Sequence, residues 1–464
     1  MGTMIHNGGV DREAEYGCSP ERMLLRPWSR LDWLALIGLS ATALGVFLAV
    51  LRFYGAALMR LAVCERLFQS DGWRVVSDMI DVSGVHYRGT VHPMFCVFTM
   101  PITNLMIHLF GTSRIGAILV LNAATAVAWV VLLYVTQRNL DCTRRSSLLI
   151  CSLAMASAGF LFWFPVPETY PLGSLSLLVC FAVAALARRL PISQSALVAA
   201  GVFSFGVTIT NWMAGLALAV CFKSPRNVAS SVALTLVILL GGWSVQKMVF
   251  PYPPKLFLKP GAVQGEVNYM FHPDSGGAKE RLRGELLSPV VLPPIRQTRE
   301  LPSGRALSVQ GFSDVLKSPV GTAASLGWMI LLGLGVVALA RGPAPSRFRR
   351  VLGAVLAGQL VLHLIYGEET FLYALHFLPI LMLVVAMATL TRWRPLVEIL
   401  LVPTILLVLW NNLDRLDEIV RTPFHGDDPR LQVLSGPLPK VWNQQMHPTP
   451  PASPSVASPP IARE

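Results

Sequence analysis

The chain has 464 residues, of which 53% are hydrophobic and only 14% are charged. Globular domains in water carry about 25% charged residues, so this composition excludes an aqueous enzyme and a disordered protein. The seven cysteines are too sparse for a small disulfide scaffold. In a soluble chain, a net charge of +12 would suggest binding to nucleic acid. In a membrane protein the same excess is explained by Lys and Arg that anchor cytoplasmic loops. The positions of the charges decide between these interpretations.

Apolar runs recur along the chain, and a crossing of the bilayer needs about 20 apolar residues. The runs that meet or approach this length are 33–51, 115–135, 147–163, 171–187, 228–248, 322–340, 351–366, 371–390 and 395–411. The stretch 193–222 is interrupted around Asn211, which predicts two short helices that meet there. A further run, 94–110, is predicted to lie at the outer interface without crossing.

The charged residues alternate between these runs. The basic connections are 136–146, 188–192, 223–227, 341–350 and 391–394. The connections 164–170 and 366–370 contain Glu but neither Lys nor Arg. Because basic residues collect on cytoplasmic loops, this pattern places the N-terminus inside and the two acidic connections outside. A crossing at 94–110 would invert the pattern halfway along the chain.

The predicted fold is an all-α membrane protein, a bundle of about 11 transmembrane helices with membrane-parallel helices in its first outer loop. The cytoplasmic N-terminal segment covers 1–32, and the membrane domain covers 33–411 with two large outer loops at 52–114 and 249–321. An outer C-terminal tail covers 412–464. The tail is rich in Pro, Ser and Ala toward its end, so we expect disorder from about residue 447.

The first outer loop concentrates acids and cations. Asp71, followed by Gly72 and Trp73, is the best candidate for a catalytic carboxylate at the outer membrane face. Asp78 and Asp81 lie three residues apart, so on a helix they would share a face. The alternative for each is a solvated loop with Arg and Tyr at the interface.

The short connection 164–170 holds one acid, Glu168, among prolines and aromatic residues. Burial in such a turn would raise the pKa of the carboxyl group and suit it to acid–base work. The alternative is a plain connection between two helices with an exposed Glu.

The connection 366–370 leads into an apolar run that contains ionisable residues. Glu369, Tyr373 and His376 are spaced to share one helical face. An ionisable residue within a span is costly and marks a candidate site. The alternative is a His that packs between helices, and the same two interpretations hold for His363.

Other motifs limit the choice of function. The cysteines show no C-x-x-C and no zinc-binding spacing with His. The chain has no P-loop, no G-x-G-x-x-G and no G-x-S-x-G, which argues against a nucleotide-driven pump and a serine hydrolase.

The order and sidedness of these motifs resemble the integral-membrane glycosyltransferases of the GT-C fold, which use lipid-phosphate-linked sugar donors. The likeness covers roughly residues 30–410 by layout. The run from Pro167 to Tyr170 is similar to the family's second acidic motif, and the run from Arg88 resembles the entry to its membrane-parallel helix. The family's adjacent acid pair is absent, and its nearest equivalent is Asp71.

The resemblance implies transfer of a sugar from a polyprenyl phosphate to an acceptor hydroxyl at the outer face, with inversion at the anomeric carbon. The candidates for the catalytic carboxylates are Asp71, Glu168 and Asp78. The donor phosphate would need cations and hydrogen-bond donors. The candidates for substrate binding are Arg74, Arg88, His92, Lys255, Lys259, Glu369, Tyr373 and His376. If a metal such as Mg²⁺ or Mn²⁺ is used, Asp71 and Glu168 would hold it.

The predicted partners are the lipid bilayer, a polyprenyl-phosphate-linked sugar donor and an acceptor glycan, lipid or protein, without nucleic acid. The predicted location is a bacterial inner membrane, with the N-terminus cytoplasmic and the C-terminus outside. The main rival function is a transporter or flippase of a polar or lipid-linked solute, which the interruption near Asn211 favours. The lack of repeats argues against it. A third possibility is a non-catalytic assembly subunit.

Overall fold

The computed structural model describes residues 28–84, 86–256, 267, 269–271, 276–301, 303–310, 318–367, 369–424, 428–431 and 434. The protein is mostly helical (75%). Its helices are α1 (Arg30–Val63), α2 (Gly72–Ile80), α3 (Phe95–Phe110), α4 (Arg114–Asn139), α5 (Arg144–Ala156), α6 (Ala158–Trp163), α7 (Tyr170–Leu186), α8 (Gln194–Val207), α9 (Trp212–Phe222), α10 (Pro225–Val249), α11 (Ala278–Leu287), α12 (Pro319–Arg341), α13 (Ser346–Ile365), α14 (Ala374–Ala388) and α15 (Arg394–Val420).

Seven helices in the described residues are long and apolar enough to cross a membrane, which makes the chain a multi-pass membrane protein. They are α1, α4, α10, α12, α13, α14 with the turn before it, and α15. The shorter apolar helices are α3, α7, α8 and the segment that contains α9. The predicted count of 11 crossings and the GT-C fold stay predictions.

The prediction of a helical fold is confirmed, but the loop 249–321 also contains a short β-hairpin that was not predicted. Two strands, β1 (Arg296–Leu301) and β2 (Gly304–Ser308), pair antiparallel there. Gly304 follows the connection between them with a φ of 117°, a left-handed conformation that glycine adopts without strain. This hairpin is too short and too polar for the helical signals to reveal it.

Arginines gather around a buried acid at one end of the bundle. The 34 residues of α1 span about 50 Å, and Asp32 lies at its start. The Asp32 carboxylate accepts hydrogen bonds from Tyr134 and Arg138, at 3.1 and 3.2 Å, and from Arg144, at 3.3 Å. Arginines of the basic connection 136–146 therefore gather at this end. That this end faces the cytoplasm stays a prediction.

The predicted span 147–163 is two helices rather than one. The backbone of Ser157 is extended, with a ψ of 152°, and its hydroxyl caps the N-terminus of α6. The next two backbone N–H groups donate to the carbonyl oxygens of Val290 and Pro289, at 3.1 and 2.9 Å. The helix can break inside an apolar bundle because the second large loop supplies acceptors for the freed N–H groups.

That loop is in turn held by two asparagines near the end of α15. The Asn412 amide donates to the carbonyl oxygens of Ala156 and Val290, at 2.9 and 2.8 Å, and its oxygen accepts the Leu292 N–H. Asn411 donates to the Leu292 carbonyl oxygen at 2.9 Å. The helix α15 continues to Val420, so the segment predicted as a tail from residue 412 begins inside a helix.

The connections predicted to share the outer side meet at the opposite end from Asp32. Leu67 of the first loop forms a parallel bridge with Leu307 of β2. Met270 forms an antiparallel bridge with Tyr366. Backbone pairing therefore joins the first large loop to the second, and the second to the connection 366–370.

One buried arginine fastens this junction. Arg66 is 1% exposed, and its guanidinium donates to the carbonyl oxygens of Arg305, Ser303 and Pro423 at 2.9, 2.6 and 2.9 Å. We expect Arg66→Met to destabilise the protein by about 3 kcal/mol or more, because buried carbonyl groups lose their donors. The measurement is the unfolding midpoint in detergent. The matched control is Arg60→Met, since the Arg60 guanidinium is exposed; equal midpoints for the two variants would contradict the assignment.

Candidate functional site

The chain turns sharply just before the predicted catalytic residue Asp71. Glu65, Phe68 and Gln69 have φ values of 58°, 49° and 59°, a left-handed conformation that is costly for residues with a side chain. A Cβ atom on Gly72 would lie 2.8 Å from the carbonyl carbon of Ala62, so only glycine lets α2 start this close to α1. The strained turn and the tight contact together set the position of Asp71.

A guanidinium joins two of the predicted acids. Arg74 lies 3.0 Å from Asp71 Oδ2 and 2.6 Å from Asp78 Oδ2, through separate nitrogens. Burial opposes the charge of Arg74, but the two carboxylates outweigh this effect and keep its pKa above the ordinary value. The Asp71 side chain remains 37% exposed, while that of Asp78 is buried. Asp71 is therefore the acid of this pair that can reach an incoming molecule.

Asp78 and Asp81 would share a face only if both lay on a helix, and the structure does not meet this condition. The helix α2 ends at Ile80, and the next residue, Asp81, has an extended backbone. The Asp81 carboxylate accepts hydrogen bonds from the N–H and hydroxyl of Ser83, at 2.9 and 2.7 Å. It organises the following turn rather than the site.

The second acidic motif meets the first loop directly. Glu168 Oε1 accepts the backbone N–H of Asp71 at 2.5 Å, and Oε2 accepts that of Thr169 at 3.3 Å. Glu168 is 3% exposed, so the alternative of an exposed Glu is wrong. Burial first, and then the negative charge of Asp71, raises the pKa of the Glu168 carboxyl group to about 8. Glu168 is therefore mostly protonated at neutral pH.

His92 closes the break between α8 and α9. Its Nδ1 lies 2.9 Å from the carbonyl oxygen of Val207 and 3.2 Å from the hydroxyl of Thr208, where α8 ends. Burial, reinforced by the charges of Arg74 and Arg88, holds the pKa of His92 well below its usual range. A neutral imidazole suits a hydrogen bond to a carbonyl oxygen. His92 thus stabilises the helix break that was predicted near Asn211 by binding the free carbonyl group at the end of α8.

Tyr373 and His376 lie together, beside a residue that the sequence analysis did not single out. The ring of Tyr170 is 5.3 Å from that of His376 and 5.8 Å from that of Tyr373. A Cβ atom on Gly173 would lie 3.1 Å from His376 Nε2. Within the described part of the chain, neither ring nitrogen of this buried His376 has a hydrogen-bond partner. Tyr170 lies two residues after Glu168, so it links the cluster of Asp71 and Glu168 to the rings of Tyr373 and His376. This proximity of Tyr170 to Glu168 could be read from the sequence.

Glu369 does not join Tyr373 and His376. It precedes a 3₁₀ turn over 370–373, whose tighter winding changes the phase expected for an α-helix. Its buried carboxylate accepts the Ser308 hydroxyl at 2.5 Å and the Val309 N–H at 3.3 Å. Burial raises the pKa of Glu369 to about 7. Glu369 thus braces the end of β2.

The predicted cations are distributed around this end of the protein. Arg88 is half-buried in a 3₁₀ turn, close enough to His92 to lower its pKa. Pro254 of the second large loop packs directly over Gly89, the neighbour of Arg88. The exposed Lys255 therefore follows a contact between the two loops. Lys259 lies outside the described residues.

Asp71 and Glu168 fit Mg²⁺ or Mn²⁺ poorly. One Asp71 oxygen is taken by Arg74, and both Glu168 oxygens accept backbone N–H groups, so few free lone pairs face a hard cation. A different trio does converge within the described residues, namely Asp78, His86 and Cys96. Sequence reasoning missed the last two because their spacing matches no metal-binding pattern.

No family model, curated protein or solved structure matches this chain. The chemistry of the site therefore has to be argued from its own residues and their geometry.

The ion pairs of Arg74 can be tested by substitution. We expect Arg74→Met to cost about 3 kcal/mol of folding free energy, because it leaves a buried carboxylate without its cation. Arg305→Met is the control, since Arg305 pairs with Glu300 on the surface and such pairs contribute about 0–1 kcal/mol. The unfolding midpoint in detergent is measured for both variants. A midpoint for Arg74→Met no lower than that of the control would show that the buried pair is unimportant.

Proposed function

We propose that the protein is a membrane glycosyltransferase that moves a sugar from a polyprenyl-phosphate donor to an acceptor hydroxyl. The observation that carries this proposal is the half-exposed Asp71 carboxylate, paired with buried Arg74 and touching buried Glu168, at one end of an apolar bundle. The layout resembles that of GT-C enzymes, which supports the same reaction. We place the reaction at the outer face of a bacterial inner membrane, following the predicted orientation.

In this proposal Asp71 is the general base. Its carboxylate accepts the proton of the acceptor hydroxyl as that oxygen attacks the anomeric carbon, and the bond from that carbon to the lipid-phosphate oxygen breaks. Attack opposite the leaving phosphate inverts the anomeric centre. Arg74 holds the orientation of the Asp71 carboxylate, because its Nε and one terminal nitrogen both donate to Asp71 Oδ2.

The leaving lipid phosphate needs positive charge and hydrogen-bond donors at the end of the bundle. Arg88 and Lys255 would supply the charge, and Tyr373 and His376 would supply donors. The two loops that carry Arg88 and Lys255 already touch through Pro254. The isoprenoid chain of the donor would lie along apolar helix surfaces, which lipid covers in the membrane.

Glu168 acts in this proposal as a positioning residue. It receives the backbone N–H of Asp71, so it sets where the base lies without touching substrate. Its protonated form adds no second negative charge near the anionic donor. Asp78 has a similar role, because it holds the other side of Arg74.

The role of Asp71 is tested by removing its charge and keeping its shape. We expect Asp71→Asn to lower the rate of sugar transfer by about 10²–10⁴-fold, the usual contribution of a general base. The assay offers labelled polyprenyl-phosphate sugars and an envelope extract to the purified protein. Asp81→Asn, which lies outside α2, is the control and should keep its activity. Full activity of Asp71→Asn would rule out Asp71 as the base.

The role of Glu168 is tested by its pH dependence. We expect transfer by the wild type to fall as the pH rises through about 8, because Glu168 then loses its proton and gains a charge beside Asp71. Glu168→Gln should remove this alkaline limb, since Gln stays neutral. The raised pKa also predicts that Glu168 weakens the fold progressively as the pH rises from about 4.5 to about 8. A rate that instead rises through pH 8 and vanishes in Glu168→Gln would make Glu168 the base.

The break at Asn211 favours a second candidate, a transporter or flippase of a polar or lipid-linked solute. Asn211 is buried and donates to the carbonyl oxygen of Gly173 at 3.0 Å, and its own oxygen accepts from Gln359 at 3.3 Å. Discontinuous helices with such polar groups are typical of transporter sites. Uptake of a lipid-linked solute by reconstituted vesicles, without any transfer product, would select this function instead.

A further inference from the structure

We propose that Asp78, His86 and Cys96 form a binding site for a divalent transition-metal ion of the Zn²⁺ class. Their ligand atoms all lie within 4.8 Å of one another. His86 Nδ1 is 2.9 Å from Asp78 Oδ1 and 3.5 Å from Cys96 Sγ. The three residues come from α2, from the turn after it and from α3, so the site would fasten the first loop together.

The donor set matches the chemistry of this class of ion. Imidazole nitrogen, thiolate sulfur and carboxylate oxygen bind Zn²⁺ at about 2.0–2.3 Å, and in a tetrahedron such donors lie roughly 3.3–3.7 Å apart. The separation of 3.5 Å between His86 and Cys96 fits this range. The contact of 2.9 Å between Asp78 and His86 would open by a few tenths of an ångström. Three protein ligands leave a fourth position for water.

The surroundings of Asp78 also suit a ligand. Arg74 binds Asp78 Oδ2, which leaves Oδ1 turned toward His86. Metal-binding carboxylates are commonly oriented by such a second hydrogen bond. The ring of Phe250 lies 4.3 Å from that of His86 and covers the imidazole. The ligand atoms are therefore oriented and shielded before any ion arrives.

The charge of the cluster points the same way. Asp71, Asp78 and Arg74 together carry one excess negative charge. A divalent cation adds two positive charges and a Cys96 thiolate adds one negative charge, so the filled site would be neutral. Both Asp78 and Cys96 also crowd one nitrogen of His86, which can carry only one proton. A cation at the centre of the cluster would be bound by the carboxylate, the imidazole and the sulfur at once.

This inference goes beyond the proposed function and does not depend on it. Its consequence for the site is positional, because Asp78 holds Arg74 and Arg74 holds Asp71. The ion would stiffen this chain of contacts without touching the acceptor. Metal binding is measured without any sugar substrate, so its failure is distinguishable from failure of the glycosyltransferase assignment.

The first test uses the full-length wild type in detergent, stripped of metal and then titrated with Zn²⁺ or Co²⁺. We expect one equivalent of Zn²⁺ per chain, and X-ray absorption at the zinc edge should show one sulfur ligand among nitrogen and oxygen ligands. With Co²⁺ we expect the near-ultraviolet absorption of a sulfur-to-cobalt charge transfer. Substoichiometric zinc, or a zinc environment without sulfur, would overturn the proposal.

The second test uses variants with matched controls. Cys96→Ser should abolish the charge-transfer absorption, whereas Cys64→Ser, at another buried free cysteine, should retain it. Asp78→Asn should weaken the affinity for Zn²⁺ at least about tenfold relative to Asp81→Asn. If Cys96→Ser fails to fold, Asp78→Asn still tests the site, because Zn²⁺ affinity equal to that of Asp81→Asn would refute it. Equal Zn²⁺ binding by Cys96→Ser and Cys64→Ser would place the ion elsewhere and refute the site.

Discussion

The buried guanidinium of Arg74 is the contact on which the rest of the candidate site depends. It lies one turn after Asp71 and one turn before Asp78, so a single helix, α2, brings one cation between two acids. A charge buried in this way is stable only while its partners remain in place. Arg74 therefore connects the exposed acid, where we propose chemistry, to the buried acid, where we propose a metal ion.

A second constraint is that irregular backbone in an apolar bundle must find hydrogen-bond partners. The break at Ser157 is satisfied by carbonyl groups of the second large loop, which Asn412 secures in turn. The break after Val207 is satisfied by His92. The same polar contacts that permit these breaks draw the loops together at one end. The place where the helices are interrupted and the place where the acids gather are thus physically linked.

Part of this site could be predicted from residue type and spacing. Arg74 and Asp78 lie in one short helix and Asp71 directly precedes it, so sequence separation translates directly into geometry there. The helix break near Asn211 followed from an interruption of a continuous apolar run. Glu369 shows the limit of this reasoning. Its predicted face assumed α-helical winding, but the backbone there is a 3₁₀ turn, and Ser308 of a distant hairpin binds its carboxylate.

The sequence by itself determined that this is a multi-pass membrane protein, because apolar runs and alternating charges are local properties of the chain. It also singled out most of the acids and cations of the candidate site. Only the tertiary structure decided that Glu168 is buried against the backbone of Asp71, 97 residues away, and that Cys96 meets Asp78 and His86. Burial sets the pKa of a carboxyl group, and long-range contacts bring a set of metal ligands together. Neither is encoded in the spacing of residues along the chain.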